Sequence, residues 1–271
     1  MSAPALVDTH CHLDLDAFDA DRPQVIERAV SAGVTTIINP SVNLESNEKV
    51  VALAQEHAPV YASVGIHPND SVGWGAEQAT RVRALAQHPK VVAIGEIGLD
   101  YYWDRAPKGA QQRALRDQLE LAAELELPVI VHNREAGDDL LAMLQDWQSA
   151  LARAGSPLAE RPGVLHSFSS DGELAEKAIA ARFFIGLTGP LTFKNAKDLQ
   201  SLATKLPLES LLVETDSPYL SPHPHRGQRN EPAKVTLVAE KLAAIKAQAF
   251  EAVAAATTAN AQRLFQFGAR T

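Results

Sequence analysis

Short apolar or β-branched runs recur along the chain at 5–8 (ALVD), 34–38 (VTTII), 60–64 (VYASV), 91–94 (VVAI), 128–131 (PVIV), 163–165 (GVL), 183–187 (FFIGL) and 211–214 (LLVE). They lack the apolar/polar alternation of a half-exposed sheet, as expected of parallel strands buried on both faces. Segments with helical spacing lie between them. Val25, Ala29 and Val30 form one stripe, with Pro23 suited to a first helical turn and Gly33 to a C-cap. Leu115, Leu119 and Ala122 form another before Pro128 restarts the chain as a strand. Val238, Leu242, Ile245 and Ala249 define a helix after the eighth run, and a final helix is expected over Thr258 to Phe265. The stretches 99–110, 148–162 and 217–233 read as irregular.

Eight strand–helix alternations predict an α/β chain folded as a (β/α)8 TIM-like barrel, with a doubly wound open sheet as the structural competitor. No internal repeat, low-complexity tract or linker divides the 271 residues. One domain over 1–271 is therefore expected, since such barrels commonly use about 250 residues as a single unit. In this fold, functional sites form at the carboxyl ends of the strands.

Composition narrows the function classes. Hydrophobic residues make up 46% of the chain, enough for one sizeable core. A formal net charge of −8 repels polyanions overall, so a nucleic-acid substrate would need local attraction from bound cations or a small basic patch. That argues against a non-specific DNA coat protein, but not against a nuclease gripping a few phosphates. The single cysteine, Cys11, rules out an intrachain disulfide, and no disulfide-linked partner is expected. The opening MSAPALVDTHCHLD lacks a basic segment followed by an apolar one, and no apolar stretch approaches the roughly 20 residues of a membrane span. A cytoplasmic protein is the expectation.

The chemistry gathers where the apolar runs end. His10 and His12, spaced i, i+2, project to the same face of an extended strand, with Cys11 between them pointing the other way. Glu96 follows the fourth run, His132 the fifth, His166 the sixth and Asp216 the eighth, with Glu214 two residues before Asp216 on the same face. Taken singly, each has an ordinary structural explanation in a core hydrogen bond or an ion pair. Taken together, they would crowd like or unpaired polar groups into one cavity, at on the order of 1–3 kcal/mol for each one left unsatisfied. Divalent cations remove that penalty, and mixed N/O ligation suits Zn, Mn, Co or Fe, and with added waters Mg. Six ligands are too many for one open catalytic metal but fit two divalent ions. One would take His10, His12 and Asp216, the other His132 and His166, with Glu96 bridging and Glu214 as a deeper hydrogen-bonded partner.

The strings DTHCHLD, GIHP, GEIGLDYY, PVIVHNRE, HSFS, TFKNA, ETDSPYL, HRGQRNEP and TTANAQRLF follow one another in an order that resembles the TatD-type metal-dependent deoxyribonucleases, from Val7 to about Phe265. The resemblance implies a TIM-like barrel, a divalent-metal site and hydrolysis of DNA phosphodiesters. By position it implies the metal residues His10, His12, Glu96, His132, His166 and Asp216. The chain departs from the family pattern at Ser170, where glycine is usual, at Gln228, where lysine is frequent, and at Asn69 and Asp70, near which a second histidine often stands.

The resulting expectation is two-metal hydrolysis of DNA, single-stranded or at its ends and exonucleolytic. Asp216 would orient or deprotonate the attacking water, and Glu96 would fix the metal separation at about 3.5–4 Å. Arg134, His67, Lys194, Arg226 and Arg229 are the candidate substrate contacts, with an ion pair to Glu135 or Asp100 as the competing role for Arg134. Tyr101, Tyr102 and Trp103 read either as a lid packing on itself or as a surface for stacking bases. Rival functions are hydrolysis of a small ester or amide, hydrolysis of an aminoacyl-tRNA ester, and non-catalytic metal binding. A fold alone does not separate them.

Overall fold

The computed structural model describes residues 5–269, so the expectation for Met1–Pro4, like residues 270–271, lies outside the described residues. Eight parallel strands follow one another in sequence order: β1 (Leu6–Asp8), β2 (Val34–Pro40), β3 (Val60–Val64), β4 (Val91–Asp100), β5 (Val129–Arg134), β6 (Gly163–Leu165), β7 (Phe184–Leu187) and β8 (Leu211–Val213). The α-helices among the described residues are α1 (Arg22–Ser31), α2 (Leu44–Glu56), α3 (Ala76–Leu85), α4 (Lys108–Leu125), α5 (Gly137–Arg153), α6 (Gly172–Ala180), α7 (Lys197–Lys205), α8 (Val235–Lys246) and α9 (Phe250–Phe265). This is the expected (β/α)8 barrel, and all eight apolar runs became its staves.

The ring closes through the segments that follow β8 and β1, not through a ladder between the strands. Cys11 and Ser217 form an isolated parallel bridge, the Asp216 N–H donates to the His10 carbonyl at 2.8 Å, and the His12 N–H donates to the Ser217 carbonyl at 2.8 Å. The residues that seal the barrel therefore include the candidate ligands His10, His12 and Asp216 themselves.

Two apolar layers result from strand alternation. One lies between sheet and helices. The other takes Val7, Ile38, Val92, Ile130, Val164, Phe184 and Leu212 from seven strands, with Tyr61 of β3 packed against it, and meets Leu264 and Phe265 of α9. The end of α9 thus plugs the barrel opposite the strand carboxyl ends, which stay free for a site. No helix among the described residues is long and apolar enough to cross a membrane.

Several local expectations need correction. Val30 is 52% exposed, and Ile26 shares the buried face of α1 with Val25 and Ala29. Five residues advance a helix by about 500°, which carries Val30 off the face of Val25. Gly33 does end α1 in a left-handed conformation, φ 90°. Ala249 belongs to no stripe of α8, because Ala247 turns left-handed and Ala249 caps a new helix. That helix, α9, starts at Phe250, a full two turns before Thr258. Residues 148–153 complete α5, and β4 runs on to Asp100, so Glu96 lies inside a strand.

Candidate metal centre

Each candidate ligand reaches the cavity by a specific backbone device. At Glu96 the β4–β5 ladder shifts register between Ile94 and Ile97, and the Glu96 N–H turns away from β5 to the Ser41 carbonyl at 2.8 Å. His132 sits on β5 opposite Gly98, whose φ of 145° and missing side chain let the two backbones approach. Asp216 has a left-handed backbone, φ 55°, a region that Asp enters more readily than most residues. His10 and His12 leave the end of β1 on one face, as their spacing predicts, while Cys11 is fully buried.

The side chains converge tightly. His10 Nε2 lies 3.2 Å from His12 Nε2, 3.4 Å from Glu96 Oε2 and 3.8 Å from Asp216 Oδ1. His12 Nε2 lies 3.7 Å from Glu96 Oε2 and 3.5 Å from Asp216 Oδ1. Tetrahedral ligands at about 2.1 Å from a cation stand about 3.4 Å apart, so these four donors fit the shell of a small divalent ion. The other oxygen, Glu96 Oε1, lies 3.0 Å from His132 Nδ1 and 3.2 Å from His166 Nε2. Glu96 is 3% exposed and divides its two oxygens between two pairs of imidazoles.

The far edges of three of the imidazoles face acceptors. His132 Nε2 faces Asp100 Oδ2 at 3.2 Å, His166 Nδ1 lies 3.3 Å from Glu214 Oε1, and His12 Nδ1 faces the Pro40 carbonyl at 3.3 Å. An acceptor behind the ring is the usual support of a metal-binding imidazole, fixing its tautomer and raising its basicity. Glu214 is the deep partner its spacing suggested. It is fully buried, accepts from Thr9 Oγ1 at 3.1 Å and from the Ser167 N–H, and belongs to a buried group with His10 and His166. His10 Nδ1 and His166 Nδ1 are both buried without a hydrogen-bond partner, so Glu214 reaches His166 as a charge contact at 3.3 Å. The donor set fits divalent cations in type, spacing and support.

Protonation follows from these contacts. Burial alone would raise the Glu96 carboxyl, but the imidazoles of His166, His10 and His132 hold it well below the usual carboxylate range. Burial opposes charge on His166 too, yet Glu96 and Glu214 lift it well above an ordinary imidazole. Asp100 is driven down to about 2, mainly by His132 against the opposing effect of burial.

His67 differs from the other four. Its Nε2 lies 3.7 Å from Glu96 Oε1, close enough to group with Glu96 and His132 as a possible ion site. Its Nδ1, however, accepts the Asn69 N–H at 3.2 Å, and burial pushes its pKa down to about 3. A neutral ring that accepts at Nδ1 carries its proton on Nε2, so His67 offers the cavity a donor and no lone pair.

The cavity has a volume of about 870 Å3 and is lined by His12, His67, Glu96, His132, His166 and Asp216 among others. Arg134 lines it and pairs with neither Glu135 nor Asp100, whose carboxylate is occupied by the N–H groups of Tyr102 and Trp103, by Asn69 and by His132. The remaining expected cations do not line it. Arg229 makes a bidentate pair with Asp21 at 2.7 and 2.8 Å and covers the Phe18 ring, so its charge is already satisfied. Arg226 lies over the Phe193 ring, and Lys194 is exposed outside the lining. Arg105, not expected from sequence, does line the cavity. Asp100 was legible only as a possible ion-pair partner. The second carboxylate of GEIGLD was the available signal for its part behind His132.

The family described as TatD related DNase matches residues 7–266. Over 261 residues the chain is 40% identical to the "uncharacterized metal-dependent hydrolase YabD" of Bacillus subtilis, covering 96% of this chain and 99% of that protein. It is 35% identical over 265 residues to the "3'-5' ssDNA/RNA exonuclease TatD" of Cronobacter turicensis, covering 96% and 97%. Among solved structures, YJJV, a TatD homolog from Escherichia coli, superposes with a TM-score of 0.88 at 35% identity, covering 96% of this chain and 98% of that one.

Proposed function

The chain belongs to the family of TatD related DNases, metal-dependent hydrolases, and from that premise we propose that it hydrolyses phosphodiester bonds of single-stranded DNA from an end. Two divalent cations would be held by His10, His12, Asp216 and Glu96 Oε2 on one side and by Glu96 Oε1, His132 and His166 on the other. The observation that carries this reading is the division of the two Glu96 oxygens between two imidazole pairs, at 3.4 and 3.7 Å on one side and 3.0 and 3.2 Å on the other. The names of relatives such as the Cronobacter exonuclease support the choice of substrate.

Cations bound there supply Lewis acidity toward the phosphoryl oxygens and lower the pKa of water. The chain's own groups do the rest. Asp216, held low by His12 and other imidazoles against its burial, is the carboxylate placed to orient the attacking water and accept its proton. His67 Nε2–H can donate to a non-bridging oxygen or to the departing oxygen. Asp100 and Glu214 keep His132 and His166 turned edge-on to Glu96.

Replacing Glu96 with Gln tests the reading. The amide keeps the volume but removes the charge and one acceptor oxygen. Metal content by elemental analysis is expected to fall from two ions per chain, and cleavage of labelled single-stranded DNA by at least about a hundredfold, the value of several kcal/mol of charge stabilisation. EDTA should abolish wild-type cleavage. Full activity in either case would end the proposal, and turnover of esters or amides with no action on DNA would favour a small-molecule hydrolase.

A further inference from the structure

The wall of the cavity formed by the ends of β4 and β5 carries an arrangement that the cation site does not use. The Arg134 guanidinium lies 4.0 Å from the centre of the Tyr102 ring and 5.5 Å from that of Trp103, and the Arg105 guanidinium lies 5.7 Å from Trp103. Tyr102 meets Trp103 edge to face, with centroids 4.8 Å apart. Among the described residues neither guanidinium makes a hydrogen bond or an ion pair within 4 Å, and the charge that Arg105 feels at longer range is that of Asp70, which also lines the cavity. Stacking fixes the guanidinium plane and leaves its N–H edge free, the state suited to bidentate capture of phosphate. Trp103 is 45% exposed and lines the cavity beside both arginines.

The opposite wall is different. Tyr219 is 56% exposed and stands edge-on to His12 at 6.4 Å beside Asp216, with neither cavity arginine in contact with it. Positive charge and a supported aromatic plane therefore coincide on one side of the cavity only.

We propose that Trp103, Arg134 and Arg105 form a nucleotide subsite in which the two guanidiniums take the phosphate next to the one cleaved and the indole stacks on its unpaired base. Tyr102 is the positioning residue that holds Arg134. The subsite rests on the nuclease reading above and supplies the residues behind its choice of single strands. An indole face can be covered only by a base released from its helix, so this wall favours single strands over duplexes, whose bases are already stacked.

Steady-state kinetics on oligothymidylate, on the same strand annealed to its complement, and on bis(p-nitrophenyl) phosphate test it, with thermal melting to verify each fold. The last compound has one phosphodiester, no base and no second phosphate. For Trp103→Ala the loss on oligothymidylate is expected to exceed that on bis(p-nitrophenyl) phosphate by at least about fivefold, the lower end of one stacked base, and to fall in KM more than in kcat. Trp103→Tyr, which keeps a stacking plane, should recover most of it. Arg134→Lys should resemble Arg134→Ala, because an ammonium has neither fork nor plane. The preference for single strand over duplex should narrow in step with the Trp103→Ala loss. Equal losses on both substrates, or an unchanged strand preference, would overturn the subsite and leave the nuclease reading standing. A wild-type protein that hydrolyses bis(p-nitrophenyl) phosphate but not oligothymidylate would remove both.

Discussion

Arg229 shows how far a residue's part can be read from its position in the sequence. It sits in a basic stretch after the eighth strand, where a phosphate contact is a natural expectation. Its partner Asp21 lies 208 residues away, and local pattern carries no trace of that pairing. The ligands were legible because each follows directly on its own strand, so strand direction alone aims it. The free guanidinium of Arg134 was half legible, since spacing gave its face but not the aromatic ring beneath it. The Asp21 pairing has a consequence in acid. Arg229, and to a lesser degree Arg28, hold the Asp21 carboxyl at about 2 against an ordinary value near 3.8. A carboxyl with a depressed folded pKa stabilises the fold above its unfolded pKa and loses that contribution as pH falls through the folded one. The melting temperature of the wild type should therefore exceed that of Asp21→Asn at pH 6, with the difference shrinking from about pH 4 and vanishing near pH 2. A difference independent of pH would show that the pairing is not what depresses Asp21.

β4 is the element whose sequence said least about its shape. Its apolar run stops at Ile94, yet the strand continues to Asp100, because GEIGLD buries both faces using glycine and carboxylates that the cavity satisfies. Apolar patterning registers only burial among hydrocarbon and so ended the strand early. The same limit hid the start of α9, whose first two turns are alanine-rich and weakly patterned. The strands β1, β3, β6, β7 and β8 were legible to within a residue at each end, whereas β2 and β5 also run past their apolar runs, to Pro40 and Arg134. Within β4, Gly98 is the position that ties strand to site. Its φ is 145°, and a Cβ there would stand 2.0 Å from the His132 carbonyl oxygen. Gly98→Ala must push β5 outward or rotate the β4 backbone, and either moves His132 away from Glu96. Urea denaturation should register a loss of at least about 2 kcal/mol, with metal affinity falling alongside it. A variant of unchanged stability and metal content would mean that β4 and β5 separate more easily than their contact implies.

At the scale of the whole molecule, the acidic surface and the small number of cavity cations limit how much nucleic acid the protein can hold. The chain carries 25 basic and 33 acidic residues, and Arg105 and Arg134 are the arginines that line the cavity. A long tract of single strand laid across such a surface would meet repulsion beyond the first few phosphates, whereas a strand end needs only the cleaved phosphate and its neighbour to be neutralised. Counterion release makes the distinction measurable, because log affinity for a single strand falls with log salt at about 0.7 per phosphate neutralised by protein. Two neutralised phosphates, the cleaved one and the neighbour taken by the arginines, predict a slope in log kcat/KM of about −1.4, measured at constant divalent concentration with a monovalent salt titrated. The slope should also be independent of strand length once the strand exceeds a few nucleotides. A slope steeper than about −3, or one that grows with length, would require a basic track running away from the cavity, and Lys194 and Arg226 would then return as substrate contacts.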